Sequence, residues 1–164
     1  QVGPRSARGG AGRARSTGLA SRLMTTSPHQ DRVPATAFPV QVAAGSLRSG
    51  PDGALTTLPH RWTRAGVEVR AEATGAHVLH LAVAICVLND VYREAEALEV
   101  TVHGVRVGVA GGFDDSWSCT GIEYAVEVDA PHERASVEAL VARVEQVAEI
   151  PRALRAGAPV RRVG

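Results

Sequence analysis

The residues from 77 to 96, HVLHLAVAICVLNDVYREAE, constrain this chain more than any other stretch. Val78, Leu79, Leu81, Val83, Ile85, Val87 and Leu88 spread around the whole circumference of a helix instead of along one stripe, so protein must wrap it on several sides. Only its last turn, residues 93–96, reads as solvated. His80, Asn89 and Asp90 interrupt the apolar run, which is expected to be too short and too polar to span a bilayer. Near its middle stands Cys86. A thiol held inside a central helix is either inert packing, the ordinary fate of a free cysteine, or a nucleophile placed there for chemistry.

The flanking sequence supplies a sheet for this helix to pack on. Residues 39–44 form a short extended run, and the turn chemistry of Gly50-Pro-Asp-Gly53 predicts a hairpin to a second run at residues 55–58. A third run begins at Trp62; in it Val67 and Val69 alternate with Glu68 and Arg70, the period of a sheet covered on one face. After the helix come two strands, residues 99–110 and 120–128. Gly111-Gly112 and Asp114-Asp115 connect them, and Ile122, Tyr124, Val126 and Val128 share one face of the second. Asp129 and Pro131 announce another helix, in which Val137, Leu140, Val141, Val144, Val147 and Ala148 make a single stripe. Pro151 ends or kinks it, and residues 159–163 can form a last extended piece. The order β-β-β-α-β-β-α-β defines an α+β domain with one wholly buried helix and one amphipathic helix.

That domain is expected over residues 33–164 of the 164. Residues 1–32 read as a disordered basic arm, because Arg5, Arg8, Arg13, Arg15 and Arg22 stand among Gly, Ser and Ala with no apolar periodicity to repay the entropy of ordering. Met24 marks an alternative start of translation. The arm has no apolar core of signal-peptide length, and the chain is expected to be cytoplasmic with no membrane partner. Its net charge of +1 gives no general reason to invoke nucleic acid, and Trp62, Tyr92, Trp117 and Tyr124 are too scattered for a base-stacking platform. They read as core or interface packing. All cations are arginine, which fits GC-rich codon use and says little about function.

Two cysteines and no CxxC favour redox or catalytic use over a disulfide framework. His77, His80 and Cys86 have conceivable metal spacing, but no further ligand pattern accompanies them, so neither a metal nor a cofactor is expected. Asp90, four residues beyond Cys86, would raise the thiol pKa by like-charge repulsion unless an arginine neutralised it.

In this order of elements, GAHVLHLAVAICVLNDVYREAE (residues 75–96), HGVRVGVAGGFD, TGIEYAVEVDAP and AEIPRALRAGAPV resemble the OsmC/Ohr family of cysteine-dependent hydroperoxide reductases, from about residue 40 to residue 160. The resemblance implies an intertwined homodimer enclosing two central helices, with Cys86 at the peroxidatic position near the interface. It implies attack of a Cys86 thiolate on a peroxide, giving a sulfenic acid and releasing alcohol or water. It puts Arg48, in GSLRSG, about where the family's activating arginine is expected. Two departures accompany it. Ala76, beside His77, stands where active members carry a glutamate, which leaves His77 or His80 as a substitute polar partner for the thiol. Ile150-Pro151 replaces the Cys-Pro pair that carries the resolving thiol, leaving Cys119 or an external thiol reductant to reduce the sulfenic acid. The competing expectation is a dimer of the same fold that binds a small hydrophobic ligand and reduces nothing.

Overall fold

The computed structural model describes residues 38–50 and 52–162. The expected basic arm, residues 1–32, and Met24 lie outside them. Five strands and three helices follow one another: β1 (Val40–Gly45), β2 (Thr56–Leu58), β3 (Val67–Arg70), α1 (Gly75–Ala97), β4 (Gly104–Phe113), β5 (Cys119–Asp129), α2 (Arg134–Val147) and α3 (Glu149–Ala156). The strands form one antiparallel sheet in the order β2-β3-β1-β4-β5.

Alternation along the strands sorts the two faces of this sheet. Val40, Val42 and Ala44 of β1, Val67 and Val69 of β3, and Val105, Val107 and Val109 of β4 share one face and are buried. Val83, Val87, Leu88 and Val91 of α1 join the same core, together with Leu140 and Val144 of α2. α1 thus has the sheet on one side and α2 on another, which is why its apolar residues cannot be confined to one stripe. Each fully buried Leu or Val there contributes about 1.5–3 kcal/mol relative to an exposed one.

α1 starts where Thr74 caps it, its hydroxyl oxygen accepting from the His77 amide at 3.4 Å. At 23 residues it is longer than expected, and by length and composition alone it could cross a membrane. Half of its most apolar window is buried within the fold, and that burial includes His77, His80 and Asp90, the pattern of a core helix.

Four expectations need correction. The hairpin between the first two strands does not form. β2 pairs with β3, and β1 lies between β3 and β4. The connection after β1 instead crosses the sheet face opposite α1, where Glu68 accepts hydrogen bonds from the Ser49 and Gly50 amides at 3.2 and 3.0 Å. That crossing leaves Glu68 only 1 % exposed, although alternation marked it for solvent; Arg70 answers its buried charge at 2.7 Å. Pro151 lies inside the first turn of α3, where its missing N–H costs nothing, and residues 157–162 carry no strand where a last extended piece was expected. Trp62 does pack, its ring stacked on Tyr92 with centroids 6.1 Å apart. Trp117, by contrast, is 78 % exposed at the tip of the β4–β5 hairpin.

Candidate functional site

Cys86, Asp90 and Arg93 occupy positions i, i+4 and i+7 of α1 and so line one stripe of that helix. The stripe faces the start of α3. Cys86 is half-buried, and its Sγ lies 3.5 Å from Asp90 Oδ2 and 3.8 Å from Glu149 Oε2. The Arg93 guanidinium binds the other oxygen of each carboxylate, Asp90 Oδ1 at 2.8 Å and Glu149 Oε1 at 3.2 Å. It also pairs with Glu94, which Arg143 of α2 grips from the far side. One arginine therefore turns the inner oxygens of two carboxylates toward a single sulfur.

Burial pushes the Cys86 thiol above its ordinary pKa; hydrogen bonding to the Ile150 backbone opposes this, and the charges of Asp90 and Glu149 reinforce it. Asp90 is itself raised, first by burial, with Arg93 pulling the other way. The exposed Glu149 is lowered, chiefly by a backbone hydrogen bond and then by Arg93. Within one chain these neighbours favour the protonated thiol, beside a buried carboxylate of raised basicity. The pull toward thiolate that the resemblance implied is not what these neighbours supply.

The other expected site residues lie elsewhere. Arg48 sits in the connection that crosses the outer sheet face, where Leu47 accepts from Arg106 at 2.6 Å and the next two amides reach Glu68; its own buried Nε has no partner among the described residues. None of the groups acting on the Cys86 thiol is Arg48. His80 points toward the sheet: Nδ1 meets the Phe38 carbonyl at 2.8 Å, and Nε2 lies close enough to Gly111 that a side chain there would touch it. Six helical residues turn it about 120° away from Cys86. His77 is buried, with Nδ1 2.7 Å from the Thr74 hydroxyl. Cys119 is exposed at the head of β5, and both cysteines are free thiols. Ile150, at the position the resemblance assigned to a resolving cysteine, does bring its backbone against the Cys86 sulfur.

Sequence reasoning singled out Asp90 and asked for a neutralising arginine, and Arg93 answers it one turn further on. It missed Glu149, since only the docking of α3 on α1 brings that residue to the sulfur across 63 positions of chain. Among the described residues, Cys86, Asp90 and Glu149 place three potential metal donors within 4.8 Å of one another. Arg93 already occupies both carboxylates, and a cation would have to displace that charge.

An open cleft of about 500 Å³ lies away from this stripe, lined by Pro39, Val40, Gln41, Arg70, Ala71, Glu72, His77, Gly108 and Val109.

No family model matches the chain, and no curated protein matches it. Among solved structures it is similar to an OsmC-like hydroperoxide resistance protein from Jannaschia sp. CCS1. The two share 12 % identity with a TM-score of 0.44, over 76 % of this chain and 91 % of that one.

Proposed function

We propose that this protein is a cytoplasmic, OsmC-like antioxidant protein in which Cys86 reduces organic hydroperoxides with an external thiol as reductant. The observation that carries the reading is the Cys86 sulfur held 3.5 Å from a buried carboxylate that an arginine orients. In the first step the thiol gives its proton to Asp90 while the sulfur attacks the outer peroxide oxygen. The S–O bond forms, the O–O bond breaks, and the departing alkoxide takes up a proton to leave as alcohol. An external thiol then attacks the sulfenic sulfur, releasing water and leaving a mixed disulfide, and a second thiol frees Cys86. The sum is one hydroperoxide and two thiols giving one alcohol, one water and one disulfide.

Arg93 keeps Asp90 aimed at the sulfur, a different task from the thiol activation expected of Arg48. His80, fully buried against the sheet, has no part in this reading, and Arg48 belongs to it only through a second chain. A homodimer is part of the proposal. What supports it is the outer stripe of α1, where Val78 is 57 % exposed and Leu81 and Ile85 are partly buried, together with Ile150 and Leu154 of α3, also exposed.

One equivalent of cumene hydroperoxide should consume the Cys86 thiol stoichiometrically, and dithiothreitol should restore it. A Cys86→Ser protein that consumes peroxide as fast as the parent would end this reading. The open cleft favours a second one, a dimer that carries a small hydrophobic ligand, because Pro39, Val40, Ala71 and Val109 give it apolar walls. A ligand retained through purification, with Cys86 inert to peroxide, would select that alternative.

A further inference from the structure

With Ile150 in place of a resolving cysteine, a sulfenic acid at Cys86 lasts until an outside thiol arrives, and a second hydroperoxide can reach it first. Overoxidation is attack by the sulfur of the sulfenate anion on that second peroxide: an S–O bond forms, an O–O bond breaks, and a sulfinate and an alcohol result. The neutral sulfenic acid is the poorer nucleophile. Whether it keeps its proton therefore decides how long the intermediate survives.

The surroundings of Cys86 bear directly on that proton. Asp90 Oδ2 and Glu149 Oε2 converge on the sulfur from two different helices, and Arg93 ties back the outer oxygen of each. A thiol has one proton and can satisfy one of these acceptors at a time. An oxygen added to the sulfur enters the same space, where S–O–H can donate to a carboxylate and S–O⁻ would face two of them. Against this stand one backbone hydrogen bond, from Ile150, and Arg93, whose charge the two carboxylates and Glu94 already share.

We propose that Asp90 and Glu149 hold the Cys86 sulfenic acid in its protonated, hydrogen-bonded form and so protect it from overoxidation. This rests on the peroxide-reduction reading and gives the two carboxylates a protective role after the first step. They are positioning residues for the intermediate. The titratable groups facing the sulfur are Asp90 and Arg93 of its own helix, Glu149 of α3 and Tyr124 of β5.

The test begins with protein already converted to the sulfenic acid, so that effects on the first step drop out. Parent, Glu149→Gln and Asp90→Asn proteins each receive further cumene hydroperoxide, and intact-protein mass spectrometry follows sulfinic against dimedone-trapped sulfenic Cys86 across pH. Removing one nearby negative charge should move the pH of half-maximal overoxidation down by about one unit and speed sulfinate formation about tenfold at neutral pH. A purely structural role would leave that pH profile in place. Equal partition and superimposable profiles in all three proteins would overturn the proposal. If cumene hydroperoxide leaves the parent thiol untouched, excess hydrogen peroxide is used to make the sulfenic acid. A Glu149→Gln effect seen then would sustain the protective role while the hydroperoxide-reductase reading falls; a thiol inert to both oxidants overturns both.

Discussion

At the scale of single residues, Cys86 and Asp90 pull on the same proton. Burial and two neighbouring carboxylates favour the neutral thiol, so the midpoint of Cys86 alkylation by iodoacetamide should lie above the ordinary value of 9.0. Asp90→Asn removes a like charge and an acceptor, and should bring the midpoint down. A parent midpoint at or below the ordinary value would contradict the single-chain electrostatics. Asp90 also links pH to stability. Its folded-state pKa is raised above the ordinary 3.8, so the folded chain keeps a proton that the unfolded chain has released. The contribution is fully present below 3.8 and is lost as pH rises through the raised value. Urea unfolding followed upward from pH 3.8 should show that decline, flattened in Asp90→Asn. The Cys86–Asp90–Arg93 spacing was legible in the sequence, because one helix carries all three. Burial of Asp90 and the arrival of Glu149 were not, because they depend on α3.

Among the elements, α3 has the most consequence for its size. Pro151 is its one buried residue among exposed neighbours, and the helix is tied to α1 through Arg93–Glu149 and the Cys86–Ile150 approach. Since the Ile150 backbone already touches the sulfur, Ile150→Cys should form an intramolecular disulfide with Cys86 on mild oxidation. Non-reducing peptide mapping would detect it; a variant that yields only mixed or intermolecular disulfides would show that α3 does not dock as described. α2 offers a different measure. Leu140 is fully buried between α2 and the core, so Leu140→Ala should cost about 2–5 kcal/mol in urea unfolding. The stripe containing Leu140 was plain in the sequence because helical periodicity is local. The identity of the partner of β1 was not. A strong turn at Gly50–Gly53 suggested a hairpin, but the buried carboxylate of Glu68 found its donors in the crossing segment, and β3 took the place beside β1.

At the scale of the whole molecule, the outer stripe of α1, which runs past Cys86, is an apolar face without a partner among the described residues. A second copy packed there would cover Val78 and enclose the thiol. Sedimentation should then give the mass of two chains for the parent and of one for Val78→Glu, with the far-ultraviolet dichroism unchanged because Val78 is exposed in the single chain. A monomeric parent would remove the dimer from the proposed function.

Local chemistry was enough to determine the α+β class, the all-round apolar helix with its cysteine and the stripe of α2, because side-chain periodicity and residue identity are written along the chain. Strand order, the burial of Glu68, the turning of His80 toward the sheet and the convergence of Asp90, Glu149 and Arg93 on one sulfur were decided by tertiary structure. Each depends on which distant backbone or charge lies close enough to answer a buried polar group, and that distance is a property of the folded chain alone.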